Sequence, residues 1–284
     1  MIEYNKRARE EGRTPLEQTQ IVLFEILKVV DAICRNHDIK YWLSGGTLLG
    51  AIRHKGFIPW DDDADIAMER KDYEKFIKII NENLPNGLFF QSSKTDKKRS
   101  KWARIRDNYS TINLKSEQNK NYTYHKGIFL DVFPYDIIDR DFYNTKVFFT
   151  RRFKKSKNKH LKKYRHILQP ISKLTHYALG PNTWKKLILR NYAKGKPKLL
   201  ATGIEIGDFF YNISYTNVFP ISDNDSFLGY RFMMPANPDK YLTEMFDNYM
   251  QIPPEEERVV HSYELLPFTK CNHPRALDYY DEQT

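Results

Sequence analysis

The chain has 284 residues, 40% of them hydrophobic and 14% aromatic, and carries a formal net charge of +10. Apolar content on that scale excludes a disordered, fibrous or linker-dominated chain, and the length admits one large domain or two modest ones. Two cysteines, Cys34 and Cys271, exclude a disulfide framework and any cysteine-based zinc or iron–sulfur centre, and reduced thiols in a cytoplasmic protein are the expectation.

The N-terminal stretch Met1-Ile2-Glu3-Tyr4-Asn5-Lys6-Arg7 is charged, and no apolar run approaches the roughly 20 residues that cross a bilayer. Neither a secretory signal nor a membrane span is therefore expected. Thr14-Pro15-Leu16-Glu17 is a capping-box signature with proline at the first helical position. Leu23, Ile26, Leu27, Val30, Ile33 and Cys34 follow at helical spacing, which predicts a helix over 15–36 with Cys34 in the core. Tyr41-Trp42-Leu43-Ser44 reads as a short strand, Gly45-Gly46 as its break, and Thr47 as the start of a short helix. His54 to Trp60 reads as loop, and Asp63 to Met68 alternates as a strand does. A second amphipathic helix is predicted over 71–84, with strands near 88–92, 101–106 and 109–114. Gly127 to Phe133 is a buried-strand candidate that Pro134 should stop.

From about 141 to 200 the pattern is helical and basic. Residues 140–200 hold 18 Lys and Arg against one acid, Asp141, so the rest of the chain is net acidic. Phe148, Phe149, Phe153 and Tyr164 are interleaved with those cations. This block suits an anionic partner such as a membrane surface, and equally a solvated helical face. The predicted class is α/β (α+β): a mixed sheet flanked by helices, with a basic helical segment attached. The expected organisation is a catalytic core at 1–140, a helical insert at 141–200, and a C-terminal part at 201–284 that completes the substrate site.

The chemistry concentrates in Trp60-Asp61-Asp62-Asp63-Ala64-Asp65-Ile66. Residues two apart on a strand share a face, so Asp63 and Asp65 present carboxylates together, with Asp61 behind them. Like charges side by side are unfavourable unless a cation neutralises them, and hard oxygen ligands suit Mg²⁺ or Mn²⁺. A calcium loop fits poorly, because the positions that should be Gly and Glu are Ile66 and Asp72. Asp131 lies in an apolar strand, where an unpaired carboxylate would cost several kcal/mol. A metal or a proton-transfer role would explain it. Ser44-Gly45-Gly46-Thr47 is a strand–turn–helix junction whose backbone N–H groups could cradle an anion. Arg53, His54 and Lys55 follow and could hold phosphate oxygens.

This ordered set, and the longer string from Tyr41 to Asp65, resembles the LicD family of phosphocholine transferases, which also includes fukutin-type ribitol-phosphate transferases. Gly127 to Pro134 is similar to the family's second block, and Phe246 to His261 to its tail. The resemblance implies a nucleotidyltransferase-like fold and transfer of a phosphoalcohol from a CDP-alcohol, foremost CDP-choline, to a sugar hydroxyl of a glycan or its lipid-linked precursor, releasing CMP. Asp63, Asp65 and Asp131 would hold the metal and carry catalysis. Ser44, Gly45, Gly46, Thr47, Arg53 and Lys55 would hold the donor phosphates. The basic segment 140–200 would contact an anionic membrane at its cytoplasmic face, and nucleic acid is not the expected partner. His261 is expected in a supporting role, and Pro59 and Trp60 as turn-shaping residues. The competing readings are a DxD-type glycosyltransferase, a nucleic-acid-directed nucleotidyltransferase, and a non-enzymatic membrane adaptor.

Overall fold

The computed structural model describes residues 2–96, 101–139, 198–203, 212–223 and 226–281. Its centre is a seven-stranded sheet in the order β1 (Trp42–Leu43), β2 (Ala64–Glu69), β6 (Phe129–Asp139), β4 (Ala103–Asp107), β3 (Leu88–Gln91). The second half of β6 pairs instead with β7 (Lys198–Thr202), which pairs with β8 (Asn212–Ser214). β2 and β6 run parallel, and the other ladders are antiparallel. A separate ribbon joins β5 (Thr111–Leu114) to β9 (Ser262–Leu266), so the C-terminal segment returns to the middle of the chain.

Three helices flank the sheet. α1 (Pro15–Asn36) matches its sequence expectation: Thr14 Oγ1 accepts from Glu17 N–H at 3.1 Å and Pro15 opens the first turn. Its apolar stripe, including Leu23, Ile26, Val30 and Ile33, is fully buried, and Cys34 lies in the same core. α2 (Gly45–His54) follows β1, and α3 (Arg70–Asn83) follows β2 at once and packs on β2 and β6. Parallel neighbours need such a crossover connection. A fourth helix, α4 (Pro238–Phe246), packs on α2. This is the mixed α/β architecture expected, and among the described residues no helix is long and apolar enough to cross a membrane.

The structure departs from the sequence expectations in three places. α2 begins at Gly45, so the glycine pair is the first turn of the helix and not a break before it. β6 does not stop at Pro134. Its antiparallel partner changes there, from β4, whose first residue Ala103 pairs with Val132, to β7, whose last residue Thr202 pairs with Tyr135. Proline lacks an N–H, and at this handover it removes no ladder bond on that side. The expected basic helical segment falls mostly on 140–197, outside the described residues, while 198–200 belong to β7 and are strand.

Candidate active site

The register of three strands builds the floor of one cleft. Parallel pairing sets Asp65 opposite Asp131, and antiparallel pairing sets Arg104 on the other side of Asp131. Side chains two apart on a strand share a face, so Phe133 and Tyr135 extend the floor along β6. All five line a cleft of about 1260 Å³. Its walls come from Ser44, Gly45 and Gly46 at the start of α2, from Asp61 and Asp63, and from the C-terminal residues Tyr249, Arg258 and His261.

The glycine pair makes room for the acids. A Cβ on Gly45, whose φ is +55°, would stand 2.8 Å from Asp65 Oδ2, and one on Gly46 would stand 2.7 Å from Asp61 Oδ2. Thr47 locks the junction from below, its Oγ1 accepting from the Asp65 N–H at 2.8 Å. The carboxylates therefore sit against the first turn of α2, whose positive end favours negative charge.

Asp61, Asp63 and His261 form one group, with a donor atom from each within 4.8 Å of the others. His261 Nε2 lies 3.5 Å from Asp63 Oδ2. Burial and the neighbouring Asp63 push the Asp61 carboxyl far up from the usual carboxylate range. Burial also raises Asp63, while His261 pulls it back, and Asp131 adds to the rise. Asp65 is raised well above normal by its enclosure, then by Asp63, Asp131 and Asp61, with Arg104 working against them. Crowded acids of this kind are what a divalent cation relieves, and their carboxylate oxygens are ligands that suit Mg²⁺ or Mn²⁺.

Asp131 converges on this group but is differently placed. Its Oδ1 accepts from Trp102 Nε1 at 2.7 Å and from Arg104 Nε at 2.5 Å, and its Oδ2 accepts from Arg104 Nη2 at 3.2 Å. Arg104 in turn lies over the Phe129 ring, 4.2 Å from its centroid. The expected three-carboxylate set is thus brought to one place, with its third member already holding an arginine.

Asp62 does a separate job. Alternation turns it away from Asp61 and Asp63, and it is fully buried. It accepts from His261 N–H at 3.0 Å and Ser262 N–H at 2.6 Å, and from the Ser262 hydroxyl. That clamp fixes the start of β9 and so delivers the His261 imidazole to Asp63.

The expected phosphate ligands divide. Ser44, Gly45, Gly46 and Arg53 line the cleft. The Ser44 hydroxyl, however, is paired with the Tyr241 hydroxyl at 2.9 Å. Arg53 Nη1 donates to the carbonyls of Tyr249 at 2.6 Å and Gln251 at 3.3 Å, which ties α2 to the far wall. Thr47 is spent on the Asp65 amide, and Lys55 is the left-handed C-cap of α2, off the cleft lining. Trp60 lines the cleft with Arg258 over its ring at 4.3 Å. Sequence reasoning missed Trp102, Arg104 and Asp62. The alternation Trp102, Arg104, Arg106 was the available signal for the first two, because it puts cations on one face of an apolar strand. The odd position of Asp62 within an even-spaced acidic set was the signal for the third.

Residues 38–179 match the family described as LicD/FKTN/FKRP, nucleotidyltransferase domain. The chain belongs to this family. A similar relative is the lipopolysaccharide cholinephosphotransferase LicD of Haemophilus influenzae, 27% identical over 278 residues, covering 87% of this chain and 95% of the relative. A shorter stretch of 50 residues is 42% identical to the human ribitol 5-phosphate transferase FKRP, covering 18% of this chain and 10% of that protein. An uncharacterized protein of Rickettsia typhi is 41% identical over 64 residues, 22% of this chain and 21% of its own. The family match spans β1 to β6, and all four cleft aspartates lie within it.

Proposed function

We propose that this protein transfers a phosphoalcohol, foremost phosphocholine, from a CDP-alcohol to a sugar hydroxyl of a cell-surface glycan or its lipid-linked precursor, with release of CMP. The observation that carries the reading is the convergence of Asp61, Asp63 and Asp65 with Asp131 at the floor of one cleft, in a family whose relatives include a cholinephosphotransferase and a ribitol 5-phosphate transferase. Asp61 and Asp63, with His261 within 4.8 Å of both, would hold Mg²⁺ or Mn²⁺, and Asp65 lines the cleft beside them. The bound cation would neutralise charge on the donor pyrophosphate and on departing CMP.

The chain's own residues do the rest. Arg104, held by Asp131, and Lys101 face the cleft and supply positive charge to the donor phosphates. Gly45 and Gly46, expected from the sequence to cradle a phosphate, instead give room to Asp65 and Asp61 against the first turn of α2. Asp131 Oδ2, whose bond to Arg104 Nη2 is long at 3.2 Å, would take the proton of the acceptor hydroxyl. The C-terminal part, clamped through Asp62, closes the wall on the acceptor side. Docking of residues 140–200 on an anionic membrane surface would bring the cleft to a lipid-linked acceptor.

The test is CMP release from CDP-choline, CDP-ribitol, CDP-glycerol and CDP-ethanolamine with Mg²⁺ or Mn²⁺. Release from at least one of the four, abolished by EDTA, is expected. Turnover of a sugar nucleotide with none from any CDP-alcohol would replace this reading with the glycosyltransferase one.

A further inference from the structure

Thr202 ends β7 opposite Tyr135, and only 5% of its surface is exposed. It lines the cleft, and among the described residues its hydroxyl has no hydrogen-bond partner. A buried hydroxyl left unpaired costs roughly 1–3 kcal/mol, so a group in this state asks for a ligand that completes it. Its surroundings narrow the ligand. The neighbouring Tyr135 hydroxyl is taken by Tyr241, so it does not serve Thr202. Between Thr202 and Asp131 lies an aromatic floor, where the rings of Trp102 and Phe133 stand 5.0 Å apart at the gap between β4 and β7. Trp102 is held in orientation by its bond to Asp131.

We propose that this end of the cleft takes the nucleoside half of the donor: a planar heteroaromatic base lies against Trp102 and Phe133, and Thr202 Oγ1 hydrogen-bonds its polar edge. This assignment rests on the CDP-alcohol reading above and adds a specificity-determining residue to it. Tyr135 is four residues along β6 from Asp131, which places Thr202 about 13 Å from the carboxylate row. A nucleoside phosphate reaches along that floor, and a phosphocholine is too short. A quaternary ammonium also neither donates nor accepts a hydrogen bond, so it would leave Thr202 unpaired. A base edge carries both donors and acceptors. The alcohol then falls on the opposite side of the carboxylates, toward Trp60 and Tyr249.

The experiment compares the full chain with Thr202→Val and Thr202→Ser, titrating CMP and phosphocholine in the presence of Mg²⁺. Thr202→Val should weaken CMP binding about tenfold, the size of one buried hydrogen bond, and raise KM for the CDP-alcohol with kcat little changed. Thr202→Ser should bind CMP as the parent does, and phosphocholine binding should be equal in all three. Thr202→Val should also melt at or above the parent, because it removes an unsatisfied hydroxyl. Unchanged CMP binding in Thr202→Val, a loss that falls on phosphocholine instead, or a large drop in melting temperature would each overturn the assignment. Unchanged CMP binding with intact CDP-alcohol turnover overturns the assignment alone. A parent chain that binds CMP yet turns over no CDP-alcohol overturns the functional reading, and the Thr202→Val comparison still decides the subsite. A parent that binds no CMP overturns both.

Discussion

Asp31 and Asp107 are buried in the core as Asp61 and Asp65 are enclosed in the cleft, yet their surroundings are opposite. Asp107 accepts from the Tyr4 hydroxyl at 2.7 Å and from both terminal nitrogens of Arg9, at 3.0 and 2.8 Å. Asp31 accepts from the hydroxyls of Tyr41 at 2.7 Å and Tyr230 at 3.0 Å and from Arg35 at 2.8 Å. Every one of those partners is a donor supplied by the fold. Asp61, Asp63 and Asp65 face mainly one another, and burial first, then that crowding, raises their carboxyl pKa values. The first two aspartates join elements distant in sequence: the N-terminal segment to β4, and α1 to the 230s. Asp61, Asp63 and Asp65 join no such distant donors, and their mutual repulsion is the feature a bound cation would relieve. Donors from the fold neutralise Asp31 and Asp107, whereas Asp61, Asp63 and Asp65 crowd one another; Asp131, which lines the cleft yet holds Arg104 and Trp102, shares features of both sets.

The sharpest test of this contrast is Asp65→Asn. Turnover should fall about 10³-fold, the scale of losing several kcal/mol of charge stabilisation. Thermal melts in EDTA should meanwhile show the variant more stable than its parent, because one of the crowded charges is gone. An Asp65→Asn protein that keeps near-parental turnover removes Asp65 from the chemistry, and one that melts well below the parent in EDTA removes the contrast.

Asp107→Ala should do the reverse. It leaves the Arg9 guanidinium buried and unpaired, and denaturant unfolding should show a loss of about 3–5 kcal/mol. Turnover of the fraction that remains folded should be near normal, since Asp107 is not in the cleft lining.

The smallest effect concerns His125, another fully paired core group. Its Nδ1 accepts from the Gly127 N–H at 3.0 Å, and its Nε2 lies 3.0 Å from Asn108 Oδ1. Burial first, then Arg106, holds its pKa down near about 2, against 6.5 for a free histidine. Below pH 6.5 the unfolded chain takes up a proton that the folded chain refuses. The stability is therefore present above pH 6.5 and lost as pH falls below it. Unfolding titrations should lose about 1 kcal/mol between pH 6.5 and 5.5 from this group, and His125→Gln should flatten that slope.

Local sequence was enough wherever local physics decides. The capping box and apolar stripe of α1 set its limits, because capping and 3.6-residue periodicity act within one element. Strand alternation alone placed Asp63 and Asp65 on one face. The proline rule misled at Pro134: a proline reads as a stop in one strand, and the exchange of partner strands beside it is not written nearby.

What the sequence by itself determined is the list of cleft acids, the helical elements and the mixed class, all properties of a few consecutive residues and their periodicity. Tertiary structure alone decided which carboxylates meet donors of the fold and which crowd one another. It set Arg104 against Asp131 through strand register, brought His261 to Asp63 through the Asp62 clamp, and left Thr202 Oγ1 unsatisfied in the cleft. The physical reason is that pairing depends on groups 27 to 200 residues apart, and only the closed sheet and the returning C-terminal segment bring them within hydrogen-bond reach.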